Sequence, residues 1–224
     1  MLFMNIDEFG TGSSFLYLFI VTISVVWLAL VLFSLKRHGW RKTVRYFVPM
    51  MIAALFLEAV AVSSGRYVYT GYLLYFSVIG AQVPLIILLG WSANLVLFLS
   101  ISEQAVKEFY SKHNLGSVFL ISLLTGVFGV CLDLLEDPLA HHNHWWVWTE
   151  STQGITVYGV PVLNFIDWFI ILFYMALATL LIDRSWYSEN RKLLISIVSI
   201  SFIGVAIYAT HTLVSEVFLL VGIA

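Results

Sequence analysis

"GSVFLISLLTGVFGVCLDLLEDP", residues 116–138, decides the architecture. The run carries no charge as far as Leu132, and then Asp133, Glu136 and Asp137 follow within five positions. An α-helix needs about 20 apolar residues to cross the hydrocarbon core of a bilayer, where every backbone polar group must be bonded within the segment. The stretch therefore predicts a spanning helix that ends in carboxylates.

Comparable runs lie on either side. With 116–135 as the fourth, they fall at about 13–34, 44–63, 80–101, 160–182 and 193–221. The 224-residue chain is 61% hydrophobic and only 11% charged, against about 25% charged in soluble domains. The expected fold class is all-α: a polytopic membrane protein, a bundle of about six transmembrane helices forming one domain over residues 1–224. The last run is long enough to tilt or to project beyond the bilayer. The first follows Asp7 and Glu8 rather than a basic segment, so it reads as a spanning helix and not as a signal peptide. A formal net charge of −2 offers no surface for nucleic acid. The single Cys131 allows no internal disulfide and no cysteine metal site.

Lysines and arginines orient the bundle. Lys36, Arg37, Arg41, Lys42 and Arg45 sit at the first loop, Lys107 and Lys112 at the third, and Arg184, Arg191 and Lys192 at the fifth. Ten of the eleven basic residues thus share one side, predicted to be the cytoplasm, and only Arg66 lies opposite. Both termini are then expected outside the cell membrane, and the loop from about 138 to 159 with them.

This topology gathers polar residues in the outer leaflet. Glu58 lies inside the apolar stretch "MMIAALFLEAVAVSS" of helix two. Asp133 and Asp137 end helix four, Asn164 and Asp167 begin helix five, and His211 and Glu216 lie near the outer end of helix six. Gln82 opens helix three. No comparable set is expected in the inner half, apart from residues such as Ser92 and Asn94. A carboxylate inside the membrane costs about 3 kcal/mol or more, so each one is a functional candidate. Asp133 and Asp137 are four apart and share a helix face. Their mutual repulsion and burial favour one neutral acid. Glu136, Glu150 and His144 read as solvated interface residues. Trp145 and Trp146 suit an interfacial aromatic belt, whereas Tyr67 and Tyr158 flank the polar layer.

Four ordered motifs carry a resemblance: "GRYVYTGYL" followed by "VPLIILLGW", then "DLLEDPLAHHNHWWVW" and "YGVPVLNFIDWF". They resemble the integral-membrane carotenoid-synthesis family, which includes carotenoid 1,2-hydratases and bisanhydrobacterioruberin hydratases. The matching positions are Gly65, Tyr67 and Tyr69; Asp133, Asp137 and Pro138; Trp146 and Trp148; and Tyr158, Gly159, Val160, Pro161, Asn164 and Phe165. The chain departs from the pattern in two places. Asp167 stands where the family usually has glycine, and the triplet His141, His142 and His144 is richer in histidine.

The resemblance implies hydration of a terminal isoprenoid alkene on a linear carotenoid or other polyprenyl substrate taken from the bilayer. Such a reaction needs an acid to protonate the alkene, a carboxylate to deprotonate water, and aromatic faces for the cation. It is redox-neutral, so no redox cofactor is expected. Asp133, the deeper acid by about 6 Å, is the expected proton donor, with Asp137 or Glu58 holding the water and Asn164 orienting it. Tyr67, Tyr69, Arg66, Trp146, Trp148, Tyr158, Asp167 and His211 are the expected substrate-binding residues.

Two other readings stay open from the sequence. One is a metal-dependent intramembrane hydrolase using Asp137, His141 and His144, against which Pro138 is expected to end helix four before His141. The other is a transporter or binding protein for lipid or isoprenoid, against which the inner half is apolar.

Overall fold

The computed structural model describes residues 12–72, 74–109, 114–149 and 155–220. Lys112 and Glu150 lie outside them. Among the described residues six helices are long and apolar enough to span a membrane: α1 (Gly12–His38), α2 (Trp40–Ser63), α3 (Leu85–Phe109), α4 (Leu115–His142), α5 (Val162–Asp183) and α6 (Glu189–Leu220). The chain is a multi-pass helical bundle.

Most helices outrun their apolar cores. The α4 helix continues through Pro138 to His142, so the expected stop before His141 does not occur. A proline inside a helix removes one N–H, the partner of the carbonyl four residues back. Here that carbonyl belongs to Leu134, and α4 resumes on the far side. Helix three starts later than expected. Residues Tyr75–Val78 (β2) and Ala81–Pro84 (β3) pair as a hairpin instead, which takes Gln82 out of the helix. Its two-residue turn, Ile79 and Gly80, has φ of 52° and 77°. Two positive φ values are what a tight type I′ hairpin requires.

Two further strand pairs cap the site end. Tyr67–Tyr69 (β1) pairs antiparallel with Trp146–Trp148 (β4), setting Tyr67 opposite Trp148 and Tyr69 opposite Trp146. Strand side chains alternate between faces, so Y-V-Y and W-V-W put four aromatic rings on one side and two valines on the other. Thr156–Val157 (β5) and Val160–Pro161 (β6) form the last hairpin. Its turn uses Tyr158 and Gly159, φ 51° and 82°. A Cβ at Gly159 would lie 2.6 Å from the His141 ring, so that position needs glycine on two grounds.

Close packing of α4 on α5 sets the site. The buried face of α4 includes Ser122, Thr125, Gly126, Gly129, Asp133, Asp137 and Ala140. A Cβ at Gly126 would meet Phe169 at 2.8 Å, and one at Gly129 would meet Leu172 at 2.2 Å. Small residues at this seam let the backbones approach, the usual device of helix pairs in lipid. The same stripe, continued one turn and then two, delivers Asp133 and Asp137 against the start of α5.

The three basic loops meet at the opposite end. Arg45, only 3% exposed, donates to Asp183 and, at 2.5 Å, to Glu189. Lys42 pairs with Asp183 at 2.8 Å, and Tyr46 donates to it at 2.5 Å. Arg184 donates to the Asn114 carbonyl at 2.9 Å. This end of the bundle therefore holds a network of paired charges, built on the basic residues that the sequence placed at the first and fifth loops. Charges that look like loop residues are drawn inward because the helices extend past their apolar runs. Removing one partner from such a buried pair costs about 3–5 kcal/mol.

Candidate active site

A cavity of about 550 Å³ lies under the β1–β4 pair, among α2, α3, α4, α5 and α6. Its wall brings together Glu58, Arg66, Tyr67, Tyr69, Asp137, Trp146, Trp148, Asn164, Asp167 and His211 from the sequence-based set. Val60 and Tyr208 also line it and are 52% and 69% exposed. The cavity thus opens sideways between α2 and α6, toward lipid.

Glu58 is the best-held acid. Trp91 Nε1 donates to its Oε1 at 2.7 Å, and the hydroxyls of Tyr67 and Tyr69 both donate to its Oε2. Burial first, then the adjacent Glu58 charge, pushes both phenols well above the usual tyrosine range. They stay protonated and remain donors. Trp91 in turn stacks on Trp168, with centroids 4.2 Å apart and planes at 28°. Tyr67 meets Trp148 edge-on at 4.8 Å. The Trp148 Nε1 is buried and has no hydrogen-bond partner among the described residues.

Across the cavity, the amide nitrogen of Asn164 donates to Asp137 Oδ2 at 2.6 Å and to Asp133 Oδ2 at 2.9 Å. One NH₂ group has two hydrogens and can serve both. The two acids differ in access. Asp137 lines the cavity, whereas Asp133 is 0% exposed and absent from its wall. Its Oδ1 has no partner among the described residues. Asp133, the expected proton donor, therefore sits behind Asp137 and does not line the cavity. Position 133 faces the α4–α5 seam, while position 137, one turn on, clears it.

A third polar group closes the α6 side. Arg66 donates to Asp167 Oδ2 at 3.2 Å, and its other terminal nitrogen lies 2.7 Å from His211 Nε2. His211 Nδ1 lies 2.6 Å from Asp167 Oδ1. Arg66 must donate to Nε2, so the imidazole carries its hydrogen on Nδ1 and donates it to Asp167. The added acid at position 167 is matched by Arg66 and His211.

Some expected residues are elsewhere. Tyr158 is 83% exposed in its turn and does not reach the cavity. Glu216 does not line it either. Asp137 is turned to Asn164, His141 packs against Gly159, and His144 is exposed. Among the described residues no three His, Cys, Asp or Glu side chains are arranged to hold a metal ion.

Other residues join unannounced. Glu136, read as solvated, and Asn94, read as one of the few polar residues of the inner half, both line the cavity. Trp145 and Trp146 are 5% and 6% exposed, so they are core rather than an interfacial belt. Phe19 of α1 packs on them at 4.9 and 6.2 Å. Trp91 and Trp168 were legible only as the closing tryptophans of two motifs.

No curated protein and no solved structure matches the chain. A family model described as carotenoid biosynthesis protein matches residues 15–224. That match takes in all six helices apart from the first three residues of α1, including every element around the cavity, and the chain belongs to the carotenoid biosynthesis protein family.

Proposed function

We propose that the protein is a hydro-lyase-type enzyme that adds water to a terminal isoprenoid C=C of a linear carotenoid. The observation that carries this reading is the pairing, in one cavity, of a carboxyl backed by a second carboxyl (Asp137 and Asp133, through Asn164) with Glu58 across from it. Between them the wall is aromatic and aliphatic, which suits a polyene end and a transient cation.

The chain of events balances without an oxidant or reductant. Asp137 gives its proton to the less substituted alkene carbon, and the π pair forms the new C–H bond. A tertiary cation remains, facing Tyr67, Trp148 and Trp91. The oxygen of a water attacks it, and Glu58 takes the proton that water releases. That proton returns to Asp137 and the net change is one H₂O added. Asn164 holds Asp137 in place, and Asp133 acts through Asn164 as a positioning residue. The substrate slides in between α2 and α6 with its remaining length in the bilayer. By the distribution of Lys and Arg, the site lies in the outer leaflet of the cell membrane and both termini lie outside.

Expression in a lycopene-producing host tests the proposal. Extracted pigment should contain hydroxylated lycopene derivatives that a Glu58→Gln strain lacks. Unchanged lycopene in the presence of folded protein would refute it.

A further inference from the structure

A second cavity, of about 540 Å³, opens at the basic end of the bundle. It lies between the ends of α1, α3 and α5 and the starts of α2 and α4. Arg37, Lys107 and Arg184 line it, and none of them forms an ion pair among the described residues. Among the described residues Arg184 donates only to neutral oxygens, the Asn114 carbonyl at 2.9 Å and Ser117 Oγ at 3.4 Å. Two carboxylates share the lining. Asp183 is engaged by Lys42, Arg45 and Tyr46. Among the described residues Glu103 has no ion pair, which leaves it as the lining carboxylate that faces the three cations.

Like charges around one space repel, and an anion placed among them relieves that repulsion. Guanidinium groups match phosphate oxygens in pairs, while lysine adds a point charge. The floor has a different character. Val106, Ile121 and Leu180 are each 3% exposed and line the same cavity. Cations at the mouth and aliphatic side chains below make an amphipathic site at the level where helix ends meet lipid headgroups. Basic side chains there attract anionic lipid.

We infer that this cavity is a phosphate-binding site occupied by the headgroup of an anionic phospholipid, with Arg37, Lys107 and Arg184 on the phosphate and the aliphatic floor against its glycerol and first methylenes. The inference is independent of the proposed hydration, because the two cavities share no lining residue.

The test uses the full chain, purified in detergent and incubated with equal amounts of phosphatidylglycerol and phosphatidylcholine, with retained lipid read by native mass spectrometry. Wild type should keep phosphatidylglycerol over phosphatidylcholine. The double variant Arg37→Gln, Lys107→Gln should lose that preference by about tenfold or more. Both side chains are exposed and form no ion pair among the described residues, so the fold is expected to hold, and a thermal melt checks it. A control, Lys36→Gln with Arg191→Gln, removes the same charge away from the cavity and should keep the preference. A parallel arm titrates inorganic phosphate into protein in pure phosphatidylcholine nanodiscs. Thermal stabilisation that is lost in the double variant supports the phosphate site and identifies a soluble source. Equal phosphatidylglycerol retention by the double variant and wild type, or equal loss in the control, overturns the inference, as does a response to neither lipid nor phosphate.

Discussion

The indole N–H of Trp91 donates to Glu58 Oε1 at 2.7 Å, across 33 positions of sequence. It is the only partner of that oxygen among the described hydrogen bonds, since both tyrosines bind the other one. Trp91→Phe keeps a ring against Trp168 and removes the donor. A buried acceptor left without a partner costs about 1–3 kcal/mol. We expect a thermal melt to fall by that order and turnover to fall with it, while Trp91→Leu, which also loses the stacking, falls further. An unchanged pair of values for Trp91→Phe would mean that Glu58 is held without it.

Asp137→Asn and Asp133→Asn separate donor from support. Asn at 137 keeps the shape but has no transferable proton, so turnover should drop by about 10²–10⁴-fold, the usual range for a general acid. Asn at 133 disturbs only the group behind it, and a loss of about tenfold is expected. Steady-state assays of both variants, at matched folded yield, check the order. If Asp133→Asn is the dead variant and Asp137→Asn survives, the deeper acid is the donor after all.

Alkaline stability reports on the tyrosines. The folded-state values of Tyr67 and Tyr69 are raised by burial and by Glu58. Between the unfolded value, about 10, and the higher folded value, the unfolded chain binds fewer protons than the folded one. Stability is therefore fully present below about pH 10 and is lost as pH rises, by up to about 1.4 kcal/mol per pH unit for each phenol. Melting temperature against pH should show this decline. The double variant Tyr67→Phe, Tyr69→Phe should make the decline shallower without abolishing it, because burial also raises Tyr72 and Tyr75.

Much of the bundle was open to reading because span length and the lysine–arginine count are one-dimensional signals. Residues 116–135 had to be a helix, and the three basic loops had to share an end. Helix ends were less legible: α4 runs on past its apolar stretch, through Glu136 and Pro138 to His142. The site was half visible. Glu58 and Asp137 stood out as acids in apolar runs, but depth along α4 did not reveal which of Asp133 and Asp137 faces the cavity. That depends on Gly126 and Gly129 drawing α5 against one face. Tyr158 misled because its motif neighbours line the site while its own left-handed turn points it away.

Asp167→Gly tests whether the added acid belongs to the chemistry. It strands Arg66 and His211, and glycine in a helix costs about 1 kcal/mol. We expect a lower melting temperature with turnover retained within about tenfold, because the carboxyl pair and Glu58 are untouched. Complete loss of turnover in a folded variant would bring Asp167 into the reacting set.

Topology is checked by thiol labelling in a Cys131→Ala background. Ser188→Cys should label from the cytoplasm and Ile155→Cys from outside. The reverse pattern would turn the molecule over and put the cavity around Glu58 and Asp137 in the inner leaflet.

The most direct measurement is isotopic. Purified protein is incubated with lycopene in heavy-oxygen water, and products are resolved by mass spectrometry. Hydration predicts one labelled hydroxyl for each modified end, absent with Glu58→Gln and Asp137→Asn. Hydroxyl oxygen drawn from molecular oxygen instead of water, or no product from folded protein that binds the polyene, would contradict hydration at this site.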